Sequence, residues 1–503
     1  MSTVTTANAG TATPSAAPPA TATPTTAMPA PFGGRQPLTR AAYASRTGRA
    51  VPTPEVRIVH LGLGAFHRAH QAWFTSAVDD RAEWGIAAFT GRNPSAAEEL
   101  ATQDGLFTVL ERSESGDTAT VVTSIVDAVD GADLTRLVQL LAAPTTAIVT
   151  LTVTEAGYRL TPNGSPNLND SAVAADVAGL RSALEADQVP ASSGGPSTTL
   201  GRLVLGLDAR RRAQAGPIAV VPCDNIPDNG AFVRAGVLAF AALVSAATAE
   251  WIDTNVSFVS TSVDRITPRT TSADLDTVAA LTGWEDHAAV VTEPFTDWVL
   301  SGNFPAGRPA WEKAGARFVD EIEPFERRKL WLLNGAHTLL AYAGRLRGHE
   351  TVAAAMADPV CRGWVNDFWD AAERHLPAGL DLPSYRAALI SRFDNARIEH
   401  QLAQISNEGV TKLRVRILPT VLAERSAGRD GGAGLRAIGC WVALVLSGQP
   451  LLDADAEAIG AASAEPTQEW AIDALLRLLD PLLVTDSALR EELHIVVAES
   501  VPR

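Results

Sequence analysis

The sequence predicts an α/β chain: a mainly parallel sheet in the N-terminal part, followed by a mostly α-helical C-terminal domain. Three observations carry this. From about residue 55, short β-branched runs alternate with helix-length stretches, the pattern of βαβ units. The first of these runs ends in a Gly-x-Gly turn. After about residue 322, long segments with apolar residues at helical spacing take over.

Residues 1–40 form an Ala/Thr/Pro-rich tail whose first charged residue is Arg35. So few large apolar side chains cannot offset the entropy of ordering, and the tail is expected to be disordered. It lacks the basic start and continuous apolar stretch of a signal peptide. Four strands follow: Val56–Leu61, Gly85–Thr90, Ala147–Val153 and Ile218–Pro222. Ala191–Ser197, rich in Ser and Gly, reads as a surface loop. The nucleotide-binding part is assigned to 41–320. The helical part is assigned to 321–503, where Pro324 suits the first turn of a helix. Leu330–Ala343, Trp364–Arg374 and Gln468–Leu479 are its clearest helical segments.

Composition excludes several classes. The chain has 503 residues, 46% hydrophobic and 19% charged, with 41 basic and 57 acidic residues and a net charge of −16. That length suits two domains, and that charge opposes binding to nucleic acid or an anionic membrane. No run of about eighteen apolar residues is present to span a bilayer. The three cysteines are too scattered for a disulfide framework or a zinc site. A cytoplasmic protein acting on a small molecule, as a monomer or small homo-oligomer, is the expectation. Only Lys313, Lys329 and Lys412 are lysines; the other 38 of the 41 basic residues are arginines. Arginine replaces lysine easily on a surface, but not where a group must lose its proton near neutral pH. Each lysine is therefore a candidate for chemistry as well as a chance survivor.

Val59, at the heart of the first strand, leads into Gly62-Leu-Gly64-Ala65-Phe66-His67-Arg68-Ala-His70. Such a turn lets the backbone approach a pyrophosphate, with the following helix N-terminus supplying free amides. The usual third glycine is His67, so a plain strand-to-helix turn is the competing reading. His67 and His70 are three apart, but Arg68 between them opposes a cation; packing or a phosphate contact is favoured over a metal. Thr90-Gly-Arg92-Asn93 ends the second strand without the acid that usually binds a ribose. Arg92 there suits a 2′-phosphate, or is an exposed loop residue. Glu155 and Asn225 follow the third and fourth predicted strands, where open α/β sheets bind ligands.

The strongest local pattern is Glu326-Arg-Arg-Lys329-Leu-Trp-Leu-Leu-Asn334-Gly-Ala-His337. At about 100° per residue, with Lys329 at zero, Glu326 falls near ~60°, His337 near ~80° and Asn334 near ~140°. These polar groups share one side of an otherwise apolar helix, so they need partners or a ligand. The alternatives are a structural hydrogen-bond network and a catalytic site. A lysine there would be pushed to lower pKa by burial and by Arg327 and Arg328. Arg392 to His400, with Gln404 and Lys412 beyond, reads as an ordinary polar helix and loop.

In this order, these motifs resemble the polyol-specific long-chain dehydrogenases, the family of mannitol 2-dehydrogenase and fructuronate reductase. Gln103-Asp104, Val256–Pro268 with Asp264, and Glu293-Pro-Phe295 also carry the resemblance, which spans about residues 55 to 480. It implies a Rossmann-type domain, a helical domain, an active site between them, NAD or NADP, and no metal. It implies that Lys329 is the catalytic lysine and that Asn225 and Asn334 hold the reacting oxygen. His337 would orient substrate and Glu326 relay protons. Val59, Gly62, Gly64, Ala65, Phe66, His67, Arg68, Arg92 and Asp264 would serve the coenzyme; Glu155, Gln404 and Lys412 would serve the substrate. The sequence departs from the family at Gln404, where mannitol 2-dehydrogenases commonly carry arginine, and at Glu408–Thr411 and Ala156. The substrate pair stays open between mannitol/fructose and mannonate/fructuronate. Mannitol 1-phosphate, arabinitol or altronate are alternatives, and a non-catalytic nucleotide-binding regulator is an alternative of another class.

Overall fold

The computed structural model describes residues 35–79, 81–161, 163–185 and 195–500. Most of the predicted tail (1–34) and of the 191–197 loop therefore lies outside the described residues. The tail's assigned end at residue 40 is corrected. Gln36–Pro37 pairs in parallel with Trp284–Glu285, Leu38 is fully buried beside Leu106 and Trp284, and Thr39 caps the helix Arg40–Thr47. One leucine in a polar stretch gives the sequence little warning of that anchor.

Six strands form the central sheet: β1 (Val56–Leu61), β2 (Gly85–Phe89), β3 (Ile125–Val129), β4 (Ile148–Leu151), β5 (Ile218–Pro222) and β6 (Val256–Phe258). Their spatial order is β3-β2-β1-β4-β5-β6, and every pairing is parallel. This is the doubly wound order, and it reverses between β1 and β4. The crevice beyond the carboxyl ends of those two strands is where such sheets hold ligands. Both faces are covered, which explains the near-continuous apolar runs. Val59 and Leu61 pack on one face with Leu137, Leu203 and Phe240, and Ile58 on the other with Phe74 and Trp298. The sequence reading found β1, β2, β4 and β5 but neither β3, whose Asp127 interrupts the apolar signal, nor the three-residue β6. Beyond β6 the chain forms β7 (Ser260–Asp264), antiparallel to β8 (Asp297–Ser301).

From Glu323 onward helices dominate. The 323–346 helix runs through the core of this part, with every residue from Gly335 to Gly344 buried. Pro359–Glu373 and Gln468–Leu479 are helical, as the apolar period predicts. Trp369, Trp441, Leu339 and Leu340 are all fully buried in one cluster around it. At about 1.5–3 kcal/mol for each large apolar side chain, such burial supplies the drive for this domain. None of the helices among the described residues is long and apolar enough to cross a membrane.

Candidate active site

The glycine turn sits where β1 meets the crevice. Gly62 has φ +112°, and a Cβ there would lie 2.3 Å from the Thr152 carbonyl oxygen, so only glycine fits. The next helix begins at Ala65 with Gly64 as its N-cap and no side chain capping it. Its first amides are thus available to a ligand, and the turn fits the pyrophosphate of a dinucleotide.

This helix, Ala65 to Val78, contains a π segment over Arg68–Ala72. Two carbonyls of that stretch find donors from outside the helix: Arg265 Nη1 reaches the Ala69 oxygen at 2.5 Å and Ser124 Oγ the Ala72 oxygen at 2.7 Å. Of the two readings of His67, packing or a phosphate contact, the packing is seen: it is fully buried and lies face to face with His60, ring centroids 3.3 Å apart, and so supports the turn from within. His60 bonds the Thr150 and Thr152 hydroxyls, and Thr152 Oγ1 donates to the Gly62 carbonyl, which ties this pair to the turn. Burial holds His60 down at about 3 and His67 lower than usual, so neither ring is charged near neutral pH. Arg68 is buried beside the turn, donating to the Gly64 carbonyl at 3.3 Å and to the Ala288 carbonyl at 2.5 Å. Val59 is buried mid-strand, Ala65 is half-buried, Phe66 stacks on His70, and Arg92 is exposed beyond β2.

A second π segment spans Lys329–Asn334 in the 323–346 helix. The indole Nε1 of Trp369 donates to the Leu332 carbonyl at 2.8 Å, a second bond on an oxygen that the Gly335 amide also reaches. The regular 100° spacing does not hold across this stretch. A π turn pairs i with i+5, which brings Asn334 beneath Lys329. The two polar groups are thus closer on the helix surface than an α-helical projection gives.

Lys329 reaches across to the sheet domain. Its Nζ donates to Asn225 Oδ1 at 2.6 Å and to the Val263 carbonyl at 2.9 Å. Burial pushes its ammonium below the ordinary lysine range; Arg392 and Arg416 act the same way, while Asp264 and Asp297 oppose them. Arg327 and Arg328, the neighbours expected to help, do not. Arg327 pairs with Glu323, and Arg328 pairs with Asp297 at 2.9 Å. Glu326 Oε1 accepts the Asp228 amide at 2.9 Å, and burial followed by Asp228 and Glu323 raises its carboxyl.

A cleft of about 310 Å³ joins these groups. Asn225, Thr261 and Ser262 line it from the sheet side, and Glu326, Lys329, Trp331 and Asn334 from the helix. Val415 and Pro419, which the sequence did not single out, close its end. The loop carrying Asn225 is pinned: Tyr158 donates to Asp224 at 2.5 Å, and Asn229 exchanges hydrogen bonds with the Thr261 backbone at 2.8 and 3.0 Å.

His337 is buried two turns further along, between Phe393 and His400 at 4.7 and 4.8 Å, and its Nε2 has no partner among the described residues. Burial, then His400, Arg392, Arg416 and Lys412, hold it neutral. Lys412 donates to the Ile405 carbonyl at 2.9 Å and is pushed down to about 8, by burial and then Arg416. Glu155 and Gln404 are exposed. Asp264, expected at the coenzyme, has both oxygens engaged by Arg392 at 2.6 and 3.0 Å. Arg392, read as part of an ordinary polar helix, is buried. Among the described residues, one set of possible metal ligands lies close together, His349, Asp358 and Cys361. The Asp358 oxygen facing His349 also accepts from Arg347 at 2.6 Å, and Asp358 caps the helix Pro359–Glu373, so these contacts account for it.

Sheet order, glycine turn and a polar cleft closed by a second, helical domain define an oxidoreductase architecture of the dinucleotide-binding type. Comparison with known proteins makes this specific. Residues 56–313 match the mannitol dehydrogenase Rossmann domain and residues 321–449 the mannitol dehydrogenase C-terminal domain. The chain belongs to the mannitol dehydrogenase family, oxidoreductases of the polyol dehydrogenase type. It is 37% identical to the D-mannonate oxidoreductase of Escherichia coli (strain K12) over 380 residues, 73% of this chain and 75% of that one. It is 36% identical to the D-arabinitol 4-dehydrogenase of Ralstonia nicotianae over 384 residues, 74% of this chain and 79% of that one. The Pseudomonas fluorescens mannitol 2-dehydrogenase ternary complex with NAD and D-mannitol superposes with a TM-score of 0.70 at 32% identity, covering 89% of this chain and 95% of that one.

Proposed function

We propose that this enzyme transfers hydride reversibly between a secondary alcohol of a polyol or aldonate and a nicotinamide dinucleotide, with Lys329 as general base in oxidation and general acid in reduction. The observation that carries the reading is the bond from Lys329 Nζ to Asn225 Oδ1, made across the cleft that Asn334 also lines. A bound nicotinamide ring supplies the hydride acceptor. The glycine turn at Gly62 and Gly64 and the helix start at Ala65 hold its pyrophosphate.

Lys329 takes the hydroxyl proton, since burial favours its neutral form. Asn225 uses its amide oxygen on the lysine, which leaves its NH₂ to donate to the developing alkoxide. Asn334, beneath the lysine on the π turn, donates to the same oxygen. Fixed donors of this kind stabilise charge without reorganising. Glu326, whose raised carboxyl sits at the cleft wall, passes the proton on to solvent. The unpaired Nε2 of His337 fixes a neighbouring hydroxyl, and Lys412 faces a distal oxygen or carboxylate.

The relatives named for D-mannonate, D-arabinitol and D-mannitol support a polyol or sugar-acid substrate. The lack of an acid after β2 and the exposed Arg92 leave the site compatible with NADP as well as NAD. No step in this scheme calls on a metal. A panel of polyols and aldonates with NAD and NADP, followed by nicotinamide absorbance, tests the reading. Turnover of at least one member is expected; coenzyme binding without turnover of any would favour a non-catalytic nucleotide binder.

A further inference from the structure

Behind Lys329 lies a buried charge cluster that the proposed chemistry does not use. Arg392 comes from the helix Leu382–Asp394 of the helical domain. Its two terminal nitrogens bond both oxygens of Asp264, at 2.6 and 3.0 Å, and Nη2 also pairs with Glu293 Oε1 at 2.8 Å. Asp264 ends β7 and Glu293 follows the strand Val290–Thr292, so both acids belong to the sheet domain. All three side chains are nearly inaccessible, at 3%, 11% and 3% for Arg392, Asp264 and Glu293. Glu293 Oε1 also accepts the Ile266 amide at 2.6 Å, and the guanidinium stacks over Phe295 at 4.7 Å.

One guanidinium between two carboxylates leaves the cluster one negative charge in excess when both acids are ionised. Buried charge left uncompensated is costly, so another cation is needed nearby. Two cations are at hand: Arg265, which pairs with Glu111 and donates to the Glu293 carbonyl at 3.2 Å, and Lys329, whose Nζ is bonded to the carbonyl of Val263, the residue before Asp264.

We propose that Arg392 is a positioning residue for the reaction: clamped by Asp264 and Glu293 across the domain boundary, it offsets their charge so that Lys329 can give up its proton while staying bonded to Val263 and Asn225. This rests on the reading of Lys329 as the proton acceptor. Other charged or titratable groups also bear on the ammonium: Asp297 from β8, Glu326 from its own helix, Arg416 from the helix Gly409–Arg416, and His70 from the helix that starts at Ala65. None of these bridges both carboxylates. Glu293, pushed up to about 7 by burial with Arg392 opposing, is the group whose own ionisation Arg392 controls most directly.

The sign follows from the geometry. Without the guanidinium, Glu293, already pushed up to about 7, takes up a proton, and Lys329 faces an uncompensated Asp264 carboxylate and holds its proton more tightly. Without the Asp264 charge, it faces a balanced Arg392–Glu293 pair and releases the proton more readily. A merely structural role would not move the two variants in opposite directions.

With three lysines in the chain, the ionisation of Lys329 can be followed in the coenzyme-free protein. The rate of its acylation by acetic anhydride is measured by peptide mass spectrometry across pH. Arg392→Gln should raise the labelling midpoint, and with it the acid limb of kcat/KM for oxidation, by roughly one pH unit or more. Asp264→Asn should lower both. Arg392→Lys, which keeps the charge, should stay nearer the parent. If Arg392→Gln does not fold, Asp264→Asn and Arg392→Lys still decide the matter. Unchanged midpoints in the variants that fold, or shifts of the same sign, overturn the proposal. Failure of the underlying reading shows separately, as undiminished turnover when Lys329 itself is replaced.

Discussion

Lys329 Nζ and Asn225 Oδ1 lie 2.6 Å apart, and the bond between them joins the helical domain to the loop after β5. On the proposed reading, this bond orients the amide so that its NH₂ donates to a substrate oxygen. Lys329→Met, which removes this donor, should leave the Asn225 amide free to rotate. Asn225→Ala and Asn334→Ala should each lower kcat by about a hundredfold or more, the effect of losing one fixed oxyanion donor. KM should change far less, which steady-state kinetics of both variants would check. A rise in KM with unchanged kcat would assign these residues to ground-state binding only.

At the other end of the crevice, Gly62→Ala should damage coenzyme binding selectively. The added Cβ meets the Thr152 carbonyl oxygen, and φ +112° is unfavourable for alanine. Strain of this kind costs about 1–3 kcal/mol. Titration of NADH fluorescence should therefore show binding weakened roughly 5- to 150-fold, since each ~1.4 kcal/mol is a factor of ten. Unaltered affinity would mean that the turn does not carry the pyrophosphate.

The helical domain holds a separate test of electrostatics. Glu424 is nearly inaccessible and accepts from Arg374, His375 and Arg429. Burial alone would raise its carboxyl, but those partners outweigh it and hold the group down at about 2. A depressed carboxylate stabilises the fold above its unfolded value, near ~4.3, and that contribution is lost as pH falls through the folded value. Glu424→Gln should melt below the parent at pH 7, and the gap should close between about pH 4.3 and 2. Thermal melts over that window decide it; a gap that is independent of pH would point to lost packing instead.

Much of the fold could be read from local signals. Runs such as Val56–Leu61 and Ile218–Pro222 are apolar because both sheet faces are covered, and Gly62 marks its own turn. The polar side chains at 326, 329, 334 and 337 stood out because they interrupt a buried helix. What was hidden depends on partners far along the chain. The π turn at Lys329–Asn334 has no local sequence signal, so an α-helical projection misplaced Asn334. Arg392 read as part of an ordinary polar helix and loop because Asp264 and Glu293, which it pairs with, lie on other elements. For His67 the sequence left packing and a phosphate contact open, because nothing local shows that it stacks on His60. The roles assigned to the lysine and asparagines came from the family resemblance. The residues themselves indicated only that a ligand or partner was needed.

The central claim is that the amine of Lys329 moves the proton in the chemical step. Single-turnover and steady-state oxidation by Lys329→Ala, measured beside NADH binding, tests it most directly. The account predicts turnover lowered by roughly two or more powers of ten with coenzyme affinity intact. Turnover close to that of the parent enzyme would contradict it.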